Sequence, residues 1–147
     1  ESAVNASAEL RNSTAKSFGQ FPEKISKRFL DQAFLNGAPD QRRCVVFIAA
    51  KLGFGRIVGN ALNDSDELVR KQAILALSEF LDQENDFVLK HLYNALHDPS
   101  CKVRVACIEV LRRRPVELNH VVKAHLNDAN HVVRHAARRA LEEITNR

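Results

Sequence analysis

Three stretches of similar sequence decide the fold: LNDSDELVRKQAILAL at 62–77, LHDPSCKVRVACIEVL at 96–111 and LNDANHVVRHAARRAL at 126–141. In each stretch a Val-Arg pair follows the first Asp by five and six residues, and small or apolar residues recur nine, twelve and thirteen residues after that Asp. The copies begin 34 and 30 residues apart. Repetition at this period is typical of helical repeats, which must stack on one another to bury their apolar faces. The pattern therefore predicts an all-α solenoid that presents a surface to a partner.

Apolar spacing ahead of each copy predicts a first helix, so that each unit is a pair of antiparallel helices. A divergent copy, in which Gly37 takes the place of the turn Asp, precedes the other three. Its first helix is predicted from Ile25, Phe29, Leu30, Ala33 and Phe34. We expect four units, at residues 21–53, 54–81, 86–114 and 115–147. Residues 1–20 are rich in Ser, Ala and Asn, and we expect either a capping helix or a flexible segment there.

The turn Asp of each copy is predicted to cap the second helix of its pair. Asp98 is followed by Pro99, and Pro is favoured at the first helical position after a cap. Asp64 and Glu67 have the spacing of a capping box, with Asp in place of the usual Ser or Thr. The sequence therefore predicts that each second helix begins directly after its Asp.

An Asp in the inter-helix turn and an Arg six residues later resemble the pairing seen in HEAT repeats, and the resemblance covers about residues 22–145. The units are short, so the chain looks most like the compact subtype named for phycobilisome lyases, which also occurs in proteins that are not lyases. The resemblance implies a right-handed α/α superhelix whose second helices line the concave side. It also implies a ladder in which the Arg of one unit bonds the turn Asp of its neighbour. The ladder would consist of Asp64, Arg70, Asp98, Arg104, Asp128 and Arg134, with Arg43 as a further rung.

Composition and charge limit the type of protein. The 147 residues are 45% apolar, enough for a continuous core, and no apolar run approaches the roughly 20 residues of a membrane span. The absence of Met leads us to expect a processed form or an excised domain. We expect the protein to be a monomer or part of a larger chain. Three cysteines, an odd number, favour a reducing compartment and hence a cytoplasmic protein, with a cleaved secretory signal as the alternative.

The second helix of the last unit departs from the others in its charge. Ten and eleven residues after the turn position, the three earlier units have the residues Phe47, Ile48, Ile74, Leu75, Ile108 and Glu109. The last unit has Arg138 and Arg139 there. Because an unpaired Arg is costly to bury, this face is predicted to be exposed and to end the stack.

Positive charge concentrates at this end of the chain. Residues 101–147 contain ten Lys and Arg against five Asp and Glu, whereas residues 1–100 contain twelve against thirteen. Such a basic region favours an acidic partner. The candidate partner-binding residues are Lys71, Arg112, Arg113, His131, His135, Arg138 and Arg139. For Arg112, Arg113 and Arg114 a second interpretation stays open, in which they interact only with the dipole at the end of their helix.

The sequence contains no motif that indicates catalysis, a metal or a cofactor. His131 and His135 are spaced like a helical metal pair, but Val132 stands where a His-Glu-x-x-His motif has its Glu. We therefore predict a non-enzymatic protein-interaction scaffold without metal or cofactor, whose protein partner has an acidic surface. One alternative is a nucleic-acid-binding module that uses the basic C-terminal third, although single-strand binding usually requires exposed aromatic residues. A second alternative is an accessory subunit resembling those of lyases.

Overall fold

The structure is a computed structural model that describes the backbone of residues 2–80, 86–113 and 119–145, and the side chains of residues 9–80, 88–113 and 120–143. All regular secondary structure within these ranges is helical. The predicted boundary between the third and fourth units, at residues 114 and 115, lies outside the described residues. The helices are α1 (Ser2–Phe18), α2 (Glu23–Asn36), α3 (Pro39–Lys51), α4 (Gly55–Ala61), α5 (Glu67–Ala76), α6 (Asp86–Ala95), α7 (Cys101–Leu111), α8 (Asn119–Ala124) and α9 (His131–Thr145), with short 3-10 segments at Leu77–Phe80 and His125–Asn127.

The chain divides into two compact units, and the first comprises residues 1–79. In it α2 packs against α3, α4 packs against α5, and the second helices α3 and α5 pack side by side. The N-terminal segment is helical: α1 packs on α3, with Ala15 buried and Phe18 partly buried against the same core. Side chains that are almost completely buried come from both pairs, and they include Leu30, Val46, Ile57, Val69 and Ile74. Two helix pairs and a packed N-terminal helix therefore make up this unit.

A tight turn separates the two pairs of the first unit. Gly53 has a φ of 75°, a left-handed conformation that glycine adopts without a steric penalty. The Gly53 N–H donates to the Ala50 carbonyl at 3.0 Å, and the Phe54 N–H donates to the Ala49 carbonyl at 2.8 Å. These two bonds form a Schellman motif, which satisfies carbonyl groups at the end of α3 and lets α4 begin two residues later.

The second unit comprises residues 80–147 and repeats this arrangement. Here α6 packs against α7, α8 packs against α9, and α7 and α9 pack side by side. Val103, Ile108 and Val133 are among its almost completely buried side chains. Cys107 is also fully buried, and its Sγ donates to the Leu92 carbonyl at 2.9 Å. Burial raises the pKa of the Cys107 thiol, so this residue acts as a small core side chain.

The predicted caps of the second helices are wrong by two residues. The N-cap of α5 is Asp66, whose side chain accepts from Leu68 and Val69 N–H groups, and the N-cap of α7 is Ser100. Before α9, Asn130 Oδ1 accepts from the Val132 N–H at 2.9 Å. Glu67 therefore lies at the first helical position and does not complete a capping box with Asp64. Likewise Pro99 lies in the turn before its helix.

The turn Asp residues have a different local role. Oδ1 of Asp64, Asp98 and Asp128 accepts from the backbone N–H two residues later, at 2.9, 2.8 and 2.8 Å. This arrangement is an Asx turn, in which the side chain substitutes for a backbone carbonyl. Each Asp therefore shapes the connection between the two helices of a pair and leaves the capping to the residue two positions further on.

The register of the divergent first pair is also wrong by one residue. Its second helix α3 has Ala38 at the N-cap, one residue after Gly37, whereas the N-caps of the other three pairs lie two residues after the turn Asp. Counted from the N-caps, Arg42, Arg70, Arg104 and Arg134 occupy equivalent fourth positions. The residue equivalent to Ile74 and Ile108 is therefore Val46, where the sequence alignment had placed Phe47.

Candidate partner-binding surfaces

An arginine clamp joins the two helix pairs of the first unit. Arg42 Nε donates to Asp64 Oδ2 at 2.8 Å, and Arg42 Nη2 donates to Asp64 Oδ1 at 2.7 Å. The third guanidinium nitrogen, Nη1, donates to the Gly37 carbonyl at 2.9 Å. One side chain thus fixes the turn of its own pair and the turn of the following pair. The predicted rung at Arg43 is wrong, because Arg43 pairs with Asp40 at the surface of the same helix.

The same clamp occurs in the second unit. Arg104 Nε and Nη2 donate to the Asp128 carboxylate at 2.9 and 2.8 Å, and Arg104 Nη1 donates to the Asp98 carbonyl at 2.8 Å. This is the contact that the resemblance to HEAT repeats implies for these two residues. Arg70 and Arg134 likewise donate to the carbonyls of Asp64 and Asp128, at 2.9 and 2.7 Å. The side chains of Arg104 and Asp128 are therefore bonded to each other within the protein.

Electrostatics keep both clamps ionised. Hydrogen bonds from Arg104 lower the pKa of the Asp128 carboxyl. Burial by itself raises the pKa of Asp64, but the hydrogen bonds from Arg42 and from the Asp66 N–H outweigh it, and the net shift is downward. The hydrogen bonds to these carboxylates also raise the pKa values of Arg42 and Arg104. A bidentate Arg–carboxylate pair with little solvent exposure is well suited to hold two turns at a fixed spacing.

Two of the candidate partner-binding residues belong to an ion-pair cluster. Arg112 pairs with Glu109 at 3.1 Å and with Glu143, and Arg139 pairs with Glu109 at 3.1 Å and with Glu143 at 3.8 Å. Two carboxylates therefore balance the two guanidinium groups. The hydrogen bond to Glu143 raises the pKa of Arg112. Because their charges are neutralised locally, Arg112 and Arg139 contribute less to attraction of an acidic partner than their sequence positions suggest.

The remaining basic candidates of the second unit are exposed. His131, His135 and Arg138 lie on one face of α9, at spacings of four and three residues, and Arg113 is exposed just after the end of α7. None of the four side chains has an ion pair or hydrogen bond within the described part of the chain. We call His131, His135 and Arg138 the α9 basic face. Glu142 is exposed at the same side of the helix and is its one acidic neighbour within the described residues of α9.

Arg138 occupies a repeat position that is buried in the other three helix pairs. At the eighth position after the N-cap, Val46, Ile74 and Ile108 are at most 1% exposed, whereas Arg138 is exposed. The three apolar side chains lie in the cores of their units. The exposure of Arg138 agrees with the prediction that this face of α9 is exposed.

Lys71 lies in the other unit, and its surroundings differ. It is half-buried on α5, close in sequence to Leu75, which is exposed. On the adjacent helix α3, the ring of Phe47 lies under two cations, with Arg11 Cζ 5.4 Å and Lys51 Nζ 5.8 Å from its centroid. This surface of the first unit therefore combines apolar groups with cations.

A group of exposed apolar side chains was missed by the sequence analysis. Phe21, Ile25 and Phe29 are each more than half exposed, although Ile25 and Phe29 had been placed on the buried face of α2. Leu30 is buried on that helix, and Ala33 and Phe34 are partly buried against the core. The spacing of four between Phe21, Ile25 and Phe29 was the available signal, because it defines a stripe distinct from the one that contains Leu30.

Neither the described side chains nor known proteins indicate a specific chemistry. Among the described residues, no group of three or more His, Cys, Asp or Glu is placed to hold a metal ion. No helix in the described ranges has the length and apolar character to cross a membrane. The chain matches no protein-family model, no curated protein and no solved structure.

Proposed function

We propose that this chain is a non-enzymatic interaction module whose α9 basic face binds an acidic surface of a partner protein. The observation that carries the proposal is the exposure of His131, His135 and Arg138 on one side of α9, without ion-pair partners within the described residues. Long-range attraction between such a face and clustered carboxylates accelerates association and selects for partner charge. Arg113 is also exposed and unpaired within that part of the chain, and we include it in the proposed site.

The scaffold that we propose beneath this face is a right-handed solenoid of four HEAT-type helix pairs. Two features support it: second helices pack side by side within each unit, and an Arg–Asp clamp joins successive pairs in both units. A rigid scaffold lowers the entropic cost of ordering a binding surface. The three cysteines are free thiols, which supports a reducing, cytoplasmic location for the protein.

Fluorescence anisotropy with a labelled, Glu-rich peptide tests this site, because the natural partner is not identified. We compare the wild type with the double variant Arg113→Glu/Arg138→Glu at about 50 mM and about 150 mM salt. We expect at least about tenfold weaker binding by the double variant at the lower salt. The control lies in the other unit: Arg43→Glu reverses the charge of a partly exposed side chain that pairs with Asp40 and takes no part in the clamp made by Arg42.

Three results would overturn the proposal. In the first, Arg43→Glu weakens peptide binding as much per reversed charge as the double variant does, which would show that only net charge matters. The second is an absence of peptide binding at low salt. The third is preferential binding of labelled single- or double-stranded oligonucleotides at physiological salt, with affinity falling by about one log unit per log unit of salt for each phosphate contacted. That last result, abolished by Arg113→Glu/Arg138→Glu, would identify nucleic acid as the partner.

A further inference from the structure

Helix α2 has two apolar faces, of which one faces solvent. Leu30 is 1% exposed in the core of the first unit, whereas Ile25 and Phe29 on the outward face are 59% and 60% exposed. Phe21, in the turn before the helix, is 58% exposed. The rings of Phe21 and Phe29 lie against Phe18, with centroid distances of 6.5 and 5.5 Å. Contact with Phe18 therefore holds two of the three exposed side chains in place.

A groove runs along this outward face. One row of side chains at four-residue spacing contains Ile25 and Phe29, and the neighbouring row contains Lys24, Arg28 and Gln32. The space between the rows has a volume of about 400 Å³ and is open to solvent. Grooves between such rows are the features into which the side-chain ridge of a second helix packs. The shape of this face is therefore that of a helix-packing surface without its second helix.

The charges around the groove restrict the second helix. Lys24 and Arg28 line the groove, both are exposed, and neither side chain has an ion pair or hydrogen bond within the described residues. None of the described residues that line it carries a carboxylate. The nearby Asp31 pairs instead with Arg56, away from the groove. A helix that places Asp or Glu beside its apolar ridge would therefore gain two ion pairs here.

We propose that the outward face of α2 binds an amphipathic, acidic helix of another protein. Apolar side chains of that helix fill the groove beside Ile25 and Phe29, and its carboxylates meet Lys24 and Arg28. A second copy of this chain fits less well, because antiparallel pairing of two α2 faces brings their rows of cations together. This site lies in the first unit and does not depend on the α9 basic face.

The test is fluorescence anisotropy with a designed, labelled peptide that carries Leu at positions i, i+3, i+4 and i+7 and Glu on both flanks of that stripe. We compare the wild type with Ile25→Ser/Phe29→Ser and with Lys24→Glu/Arg28→Glu, after circular dichroism shows that the variants fold. We expect each double variant to bind at least about tenfold more weakly. A peptide with Lys in place of Glu should recover binding to Lys24→Glu/Arg28→Glu, since the charges are then complementary again.

Matched controls separate this site from general stickiness. Leu10 is 69% exposed on α1, so Leu10→Ser removes an exposed apolar side chain elsewhere in the same unit and should leave binding unchanged. Because the α9 basic face is itself proposed to bind Glu-rich peptides, the comparison is repeated in the Arg113→Glu/Arg138→Glu background, where each α2 double variant should still weaken binding at least about tenfold. A scrambled peptide of the same composition should bind at least about tenfold more weakly.

Four results would overturn the proposal. Equal binding of the scrambled peptide, or unchanged binding by Ile25→Ser/Phe29→Ser, would exclude recognition of a helix by this groove. Binding to vesicles of phosphatidylserine and phosphatidylcholine in place of the peptide would indicate a membrane surface. Concentration-dependent dimers in analytical ultracentrifugation, lost in Ile25→Ser/Phe29→Ser, would indicate a second copy of this chain.

Discussion

The two units have the same internal clamp and different surfaces. In each, an Arg four residues after one N-cap bonds the turn Asp of the next helix pair, with N–O distances between 2.7 and 2.9 Å. At the ninth position after the N-cap, however, the first unit has Phe47 and Leu75, whereas the second unit has Glu109 and Arg139, which form an ion pair. The repeat therefore fixes how two pairs pack and leaves the chemistry of their outer surface free to differ.

The cations near these outer positions also differ between the units. Near the surface of the first unit, Arg11 and Lys51 lie over Phe47, and Lys51 also pairs with Glu79. On the second unit, the α9 basic face is without a partner within the described residues. All six histidines of the chain also lie in residues 80–147. The same packing of helix pairs therefore carries surfaces of different chemical character.

The largest effect is expected at the eighth position after the N-cap, where three pairs have buried apolar residues and the last has Arg138. Ile108→Arg would place a charge in the core of the second unit and should lower the free energy of unfolding by about 4 kcal/mol. Arg138→Ile should change it by less than about 0.5 kcal/mol, because that site is exposed. Urea denaturation followed by circular dichroism measures both. Similar losses for the two variants would mean that Arg138 is packed against protein.

The next largest effect concerns the clamps themselves. Asp64→Ala and Asp128→Ala each remove a carboxylate that is at most 10% exposed and leave an Arg without its bidentate partner. We expect each to lower the free energy of unfolding by about 2 kcal/mol. Hydrogen exchange should show the loss chiefly in the unit that contains the substitution. The control is Asp40→Ala, which removes a 90% exposed carboxylate from an ion pair and should leave the urea midpoint unchanged. A similar loss for Asp40→Ala would show that the clamps have no special role.

Acid should weaken both clamps over one pH range. The pKa values of Asp64 and Asp128 are lower in the folded chain than their ordinary value of 3.8. Unfolding therefore takes up protons, and the stabilisation is complete above the unfolded pKa and is lost as pH falls through the folded pKa. Stability should decrease below about pH 4, and Asp64→Asn and Asp128→Asn should each reduce that decrease. A pH dependence identical in wild type and both variants would contradict this origin.

Much of the helical arrangement was predictable because burial imposes a strict period on apolar side chains. The all-helical character, and second helices near 67–76, 101–111 and 131–145, follow from the recurrence of buried Val, Ala and Leu. The short helix α4 also agrees with its two glycines, which disfavour a longer helix. The solenoid shape and the match to HEAT repeats stay predictions.

The errors arose where the local backbone, and not burial, decides the structure. Asp, Ser and Asn are all good caps, so the sequence alone does not distinguish Asp64 from Asp66 or Asp98 from Ser100. The turn to α3 is one residue shorter than the others, so counting six residues from Gly37 predicts Arg43 as the ladder residue, whereas Arg42 makes the contact. The pairing of Arg112 and Arg139 with Glu109 and Glu143 depends on side-chain geometry across two helices. On α2, Ile25 and Phe29 satisfy helical spacing as well as Leu30 does, but the core covers one face only.

The smallest effect on stability is expected at the ninth position, where the units differ most. Leu75→Arg and Arg139→Leu exchange the residue types of the two surfaces. Leu75 is 38% exposed, and the side chain of Arg139 is 51% exposed. Exposed side chains and surface ion pairs contribute little to stability, so each variant should change the free energy of unfolding by less than about 0.5 kcal/mol. Such tolerance would mean that folding stability does not select the residue type at this position. A loss above about 2 kcal/mol for Leu75→Arg would instead place Leu75 among the packing residues of the first unit.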